Sequence, residues 1–398
     1  EEVRGGSDHP VERLLALCEE RLARFDGSID GFMGFLDFPV TLMVPLLCER
    51  YGTPGPDFQA VVKCEHKLWS RLIQREAIPE HVPRFMGFDP FDTRPFAGLD
   101  LLPPFWIKPV KSFRSYLAFL INDEAGFAGA AEEMQRSLPK LAEPFDRLLD
   151  RVTLPPELAD TRNATAIAES QLSGSQCTVE GYVYNGDVTI YGVVDSVREA
   201  DSSSFLRYEY PSRLPAGVMA RMADACRRVM PALGYDYGCF NAEFFYSQTE
   251  DGLWLLEINP RHSQSHAYLF QQLHGVSNHQ IMLRLALGRD PQFPGIKESG
   301  RVAAKFMLRT RQDGFVTAVP GRRERKALAE NAPESHLEVL VRAGQRLSDL
   351  PHQDSYSFEV ADLYLTAADG QELDAVYRSA LQSLTFRFAQ ELDMPLDT

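Results

Sequence analysis

Two short apolar runs, residues 239–246 and 253–258, each carry a carboxylate among bulky neighbours: Phe240-Asn241-Ala242-Glu243-Phe244 and Leu255-Leu256-Glu257-Ile258-Asn259-Pro260-Arg261. Ser247 to Gly252 (SQTEDG) is turn chemistry, so the two runs are expected to form a hairpin. With a loop of about five residues, Glu243 and Glu257 fall opposite one another and share a face. Asn259 joins that face by the strand period of two. Were they only surface charges, the acids would oppose one another directly, and their neighbours are too apolar for a solvated edge. A cation between them removes the repulsion. Oxygen-only ligands suit Mg²⁺, which keeps its remaining positions for water and phosphate. Arg261 adds a guanidinium to the same hairpin.

A second group gathers at Lys108, in the apolar strand Phe105-Trp106-Ile107-Lys108-Pro109-Val110. A lysine there either snorkels to solvent or meets an anion. The following Lys111-Ser112-Phe113-Arg114-Ser115 turn supplies hydroxyls and positive charge, which suits a phosphate cradle, although Lys and Ser alone are a weak signal. The polar run Arg261-His262-Ser263-Gln264-Ser265-His266 is the preferred substrate-facing loop. His262 or His266 could accept a proton near neutrality, and capping the next helix is the alternative role for either. Arg207, with Tyr208, is a second candidate for a substrate carboxylate, and a structural ion pair accounts for it equally well.

These groups need elements to hold them. Residues 10–24 have helical spacing, followed by a short strand, Gly31 to Leu36, and a helix from about Val40 to Tyr51. Thr53-Pro-Gly-Pro breaks the pattern. Lys63 to Arg75 reads as a helix carrying Lys67 and Arg71. Two helical stretches are expected over about 123–151, and strands over 163–170 and 177–196, with Asn185-Gly186 as a hairpin turn. Helices are expected at 214–233 and about 275–287. From Arg301 a strand and a turn-rich region precede a helix, Glu372 to Leu384, and a final run, Phe386 to Leu392.

A chain of 398 residues is too long for one small core, and two or three subdomains are expected. The net charge of −15 argues against nucleic acid, whose phosphates require a basic surface. No run is long enough to span a bilayer and no signal-peptide pattern opens the chain. Glu1 is not a start methionine, so the sequence is expected to lack its true beginning. Six cysteines without C-x-x-C spacing favour reduced thiols in a cytoplasmic setting over a disulfide framework or a zinc site. The templates G-x-x-x-x-G-K-[ST], G-x-G-x-x-G, G-x-S-x-G and H-E-x-x-H are all missing.

The order of features is more specific than any one of them. A helix-borne lysine, a strand Lys-Pro, Glu169-Ser-Gln-Leu-Ser-Gly, Glu180-Gly-Tyr-Val-Tyr-Asn-Gly and Glu…Glu-x-Asn-x-Arg resemble the ATP-grasp ligase family over about residues 55–290. Within it the chain looks most like carboxylate–amine ligases of the amino-acid ligase and carnosine synthase kind. The resemblance implies an α/β (α+β) fold. Residues 1–54 would be the tail of a preceding βα domain, 55–290 an ATP-grasp domain with a lid at about 100–165, and 291–398 a C-terminal subdomain that packs over the active site or forms a homodimer contact.

It also implies roles. Lys67, Lys108 and Ser112 would hold ATP phosphates, and Glu169, Gln171 and Leu172 would belong to a hinge receiving adenine through backbone groups and an acidic side chain. Glu243, Glu257 and Asn259 would bind two Mg²⁺ ions, for which Mn²⁺ could substitute, and Arg261 would steady an acyl phosphate. Gln176 stands where related ligases often carry a ribose-binding Glu, and Arg114 sits in a loop that is often glycine-rich. The substrates would be a small acid and an amine or amino acid, with Arg207, His262, Ser263 and His266 as candidate contacts. A carboxylate is a poor electrophile, and transfer of the γ-phosphoryl group to it makes an acyl phosphate that a neutral amine can attack. A carboxylase activating bicarbonate and a nucleotide-binding regulator without catalysis are the alternatives.

Overall fold

Val11, Leu14 and Leu15 recur at helical spacing and form the buried side of α1, Val11–Ala23. In this computed structural model, residues 11–92, 96, 98–112, 117–159, 165–199, 204–298, 300–350 and 357–390 are described, the side chains of 140–142 aside. The strand expected at Gly31 to Leu36 does not form; residues 31–35 run without strand pairing into a turn before α2, Val40–Tyr51. Gly31 lies so close to the Ala286 carbonyl that a Cβ would collide with it, so this segment packs against a helix end instead of a sheet.

The helix expected over Lys63 to Arg75 is two helices, α3, Phe58–Glu65, and α4, Lys67–Ala77. His66 (φ −87°, ψ 97°) ends the first and caps the second, its Nδ1 accepting from the Trp69 amide at 3.1 Å. The break puts Lys67 in the first turn of α4, where its amide donates to the Val110 carbonyl at 2.8 Å.

Three strands follow: β1, Phe85–Phe88, β2, Phe105–Pro109, and β3, Phe119–Ile121. The two helical stretches expected next are one helix, α5, Glu124–Leu149. Pro139 and Pro144 lie inside it, yet Phe127, Met134, Leu138, Phe145 and Leu149 keep one buried stripe on both sides of them, and this packing carries the helix through. After α6, Pro156–Ala159, β4, Ala166–Ser170, completes an antiparallel sheet of order β1-β4-β2-β3.

A larger sheet carries the two acids. β5, Ser175–Tyr184, and β6, Asp187–Arg198, form the expected hairpin, with positive φ at Asn185 (51°) and Gly186 (80°) as a primed turn requires. β7, Phe205–Tyr210, has no counterpart among the expected elements. α7, Ala216–Leu233, precedes β8, Gly238–Ser247, and β9, Gly252–Asn259. The helix expected at about 275–287 is α9, His279–Ala286, and before it stands an unexpected α8, Ala267–His274, ended by Gly275 (φ 78°). The chain continues through β10, Val302–Thr310, β11, Phe315–Ala318, α10, Arg322–Asn331, β12, His336–Val339, β13, Phe358–Ala367, α11, Gly370–Ser383, and β14, Arg387–Ala389. The sheet order is β12-β13-β10-β7-β6-β5-β8-β9, each pairing antiparallel. The C-terminal strands therefore continue the sheet that bears Glu243 and Glu257.

One apolar core joins α1 to α4, α7 and the β8–β9 hairpin; others lie under α5 and behind β10 and β13. All six cysteines are unbridged. Among the described residues no helix is long and apolar enough to cross a membrane.

On β10 and β13, Arg309 pairs with Glu359 at 2.6 Å and Lys305 with Asp362 at 2.8 Å. Burial and the neighbouring Asp362 push the Glu359 carboxyl up to about 7. The folded state keeps this proton where the unfolded chain has lost it, so stability falls as pH rises from about 4.5 to about 7. Thermal unfolding midpoints should decline over that interval in the natural protein and less steeply in Glu359→Gln; equal slopes would exclude this carboxyl as the cause.

Candidate active site

Glu243 on β8 and Glu257 on β9 are register partners, and so are Asn241 and Asn259. The route to that register differs from the expected five-residue loop. Ser247 pairs with Gly252, so the turn is tighter, and a bulge between Glu243 and Phe244 makes Leu256 the extra residue that restores the pairing. Without the bulge Glu243 would face Leu256, and Glu257 would point to the other side of the sheet.

Arg71 on α4 holds this bulge. Its Nη1 donates to the Leu255 carbonyl at 2.7 Å and its Nη2 to the Leu256 carbonyl at 2.6 Å. Consecutive carbonyls of a regular strand point to opposite edges; here both converge on one guanidinium that is 2% exposed. The same guanidinium pairs with Glu169 at the end of β4, Nε to Oε1 2.5 Å. The other oxygen of Glu169 meets Lys108 Nζ on β2 at 2.5 Å. Burial opposes the charge of Glu169, yet Arg71 and Lys108 together hold its carboxyl down at about 2. The acidic side chain expected at an adenine hinge is thus turned inward to two cations, because its strand neighbours β1 and β2 bury it. Gln171 and Leu172 follow β4 outside the sheet.

Around the two acids the polar contacts are dense. Glu243 accepts from Gln176 Nε2 at 2.7 Å and from Asn259 Nδ2 at 3.3 Å. Burial and then Glu257 push its carboxyl up to about 7. Lys67 Nζ lies 3.9 Å from Glu257 Oε2 and donates to the Ser112 carbonyl at 3.0 Å. Burial lowers the Lys67 pKa against the opposing pull of Glu257, and Lys108 lowers it further. Arg261 is paired with Asp37, Nε to Oδ1 2.7 Å, a partner 224 residues away that sequence spacing could not show. Lys111 is buried against Glu65 and lies over the rings of Phe38 and Phe145, 5.3 and 5.8 Å from their centres. Burial lowers its ammonium to about 8, although Asp37 and Glu257 resist the shift. Asp37, Glu65 and Arg71 were not among the expected site residues, whereas Lys111 belongs to the turn expected to cradle phosphate, and its buried pairing with Glu65 was not foreseen. Arg114 lies outside the described residues.

The substrate loop is built inward. Glu180, 0% exposed, accepts from Asn241 Nδ2 at 2.8 Å, Tyr191 Oη at 2.9 Å and the Ser263 amide at 3.1 Å, and its Oε1 lies 2.8 Å from His266 Nδ1. Ser263 and His266 are therefore fastened to β5. His262 corrects the expectation of a neutral-pH proton acceptor. It is buried with Nε2 2.8 Å from His279 Nδ1, and burial, His279 and Arg261 lower it to about 3. For Arg207 the structure favours the second of the two expected roles, a structural ion pair. On β7 it points to the back of the sheet, bonding Asp374 of α11 at 2.9 Å and lying 3.2 Å from Glu209 as an ion pair, while Tyr208 takes the opposite face beside His266. A cavity of ≈ 50 Å³ at the end of the hairpin is bordered by Phe32, Thr41, Tyr235, Cys239, Arg261 and His262.

Residues 101–267 match the ATP-grasp domain family. The whole fold is similar to an L-amino acid ligase from Bacillus licheniformis, at 17% identity and a TM-score of 0.75, covering 95% of this chain and 85% of that one. It is similar also to phosphoribosylglycinamide synthetase from Anaerococcus prevotii (10% identity, TM-score 0.65, 96% and 88% covered). A third is the biotin carboxylase domain of 2-oxoglutarate carboxylase from Hydrogenobacter thermophilus, solved with MgADP and bicarbonate (16% identity, TM-score 0.64, 95% and 78% covered). No curated protein matches in sequence.

Proposed function

We propose that this chain, which has the ATP-grasp fold, is an ADP-forming carboxylate–amine ligase that activates a small acid as its acyl phosphate and joins it to an amine. The observation that carries the reading is the Glu243–Glu257 pair with Lys67 beside it and Lys108 held by Glu169. The donor set fits Mg²⁺: two facing carboxylates and the oxygen of the Asn259 amide, whose Nδ2 donates to Glu243, with Glu243 pushed up by burial and then by Glu257 until a cation balances it. Among the described residues no group of three or more His, Cys, Asp and Glu competes for a softer metal. Bound there, Mg²⁺ would neutralise phosphate charge. The same reading keeps 1–54, 55–290 and 291–398 as its three parts.

The chain's own residues then divide the work. Lys67 and Lys108 hold phosphate oxygens, and Glu169 and Arg71 fix where Lys108 points. The backbone at Gln171 and Leu172 receives the base. Arg261, oriented by Asp37, faces the acyl oxygens, and Glu180 sets the Ser263–His266 loop against them. Phosphoryl transfer needs little more than this positioning and charge.

The similarity to an L-amino acid ligase favours an amino acid among the substrates, and the similarity to a biotin carboxylase domain keeps bicarbonate activation as the second reading. ADP release measured over panels of acids and amines separates them. A ligase requires both an acid and an amine; bicarbonate alone sufficing would establish the carboxylase, and no turnover with any pair would refute both.

A further inference from the structure

The cations nearest the two acids have carboxylate partners: Lys67 with Glu257, Lys108 with Glu169, Arg261 with Asp37. Arg198, at the end of β6, has none among the described residues. Its guanidinium lies over two rings, Phe205 on β7 at 5.0 Å and Phe245 on β8 at 5.4 Å. Contact with Phe245 brings it across β5 to the face of Gln176 and Glu243, since Gln176 pairs with both Ser196 and Phe245. Glu243 also acts on its charge.

Stacking uses the flat faces of a guanidinium and leaves its N–H edge unused. Nε of Arg198 is buried there without a hydrogen-bond partner, an expensive state for a charged donor unless a ligand fills it. Gln176 Oε1, on the neighbouring strand, is likewise buried and unpartnered. Lys111 also lies over two rings but pairs with Glu65, whereas Arg198 is clamped beside the metal-binding acids with its Nε unpaired among the described residues.

We propose that Arg198 is an oxyanion-binding residue of this site, receiving either a phosphate of the nucleotide or the carboxylate of the acid. The inference rests on the ligase reading for its ligands. Both ligand oxyanions are planar or tetrahedral acceptors that a fixed guanidinium edge can take with charge-assisted hydrogen bonds.

Arg198→Met keeps the length and apolar packing between the rings and removes the donors, and Arg198→Lys returns charge without the fork. MgATP binding is read by calorimetry, and the Michaelis constant of the acid by acid-dependent ADP release, with the melting temperature confirming an intact fold. In Arg198→Met one of the two constants should rise by about 10–100-fold, with only partial recovery in Arg198→Lys. A rise in the MgATP constant assigns a nucleotide phosphate; a rise confined to the acid assigns the carboxylate. Both constants within about twofold of the natural protein would overturn the proposal, that spread being smaller than one charged hydrogen bond. If the natural protein turns over no acid, the ligase reading fails by itself, and the calorimetric constant alone then decides Arg198.

Discussion

Glu257→Gln is expected to lower acid- and amine-dependent ADP release by more than about a hundredfold, because even outer partners of metal ligands are worth about 10–100-fold. The glutamine keeps the shape and loses the charge that Mg²⁺ requires. Its effect on folding should be the reverse. Glu257 pushes up the buried Glu243 carboxyl, so removing one of the two facing acids relieves that repulsion. The melting temperature without metal should hold or rise while turnover disappears. Near-normal turnover at saturating Mg²⁺ would remove Glu257 from the metal site.

Arg71→Met should be damaging in a different way. It strips two carbonyls and one oxygen of Glu169 of their donor at once. Breaking a buried pair costs about 3–5 kcal/mol, and the bulge at Leu256 then has nothing to hold it. Turnover and Mg²⁺ affinity should fall together with stability. Deleting Leu256 distinguishes a register effect from general damage. Without that residue, Phe244–Leu255 is followed directly by Glu243–Glu257, and no bulge is needed. In the Arg71→Met background the deletion should recover Mg²⁺ affinity, though not the pairing with Glu169. Arg71→Met with natural Mg²⁺ affinity would show that the bulge holds itself.

The facing acids were legible in the sequence because register depends on the number of residues between them. It does not depend on where the extra one sits. A five-residue loop and a tighter turn with a bulge at Leu256 give the same partners, and the apolar pattern of Leu253-Trp254-Leu255-Leu256 hides which is true. What the sequence left open was facing. Phe205 to Tyr210 has no clean alternation, so nothing local shows that Arg207 points to α11 and Tyr208 to the acids. The run from Arg261 to His266 reads as a substrate-facing loop, and its inward fastening is not legible because its partners are remote: Glu180, Asp37 and His279. Helix breaks were missed where a side chain, His66, substitutes for a cap, and a break was wrongly expected where packing overrides Pro139 and Pro144.

The central claim is that Glu243 and Glu257 grip a divalent cation beneath the phosphates of ATP. A crystal grown with Mn²⁺ and a non-hydrolysable ATP analogue tests it directly through the anomalous signal of the metal. Manganese bound by both carboxylates and touching the triphosphate is the expected result. A nucleotide seated elsewhere, or the two glutamates apart with no metal between them, would contradict it.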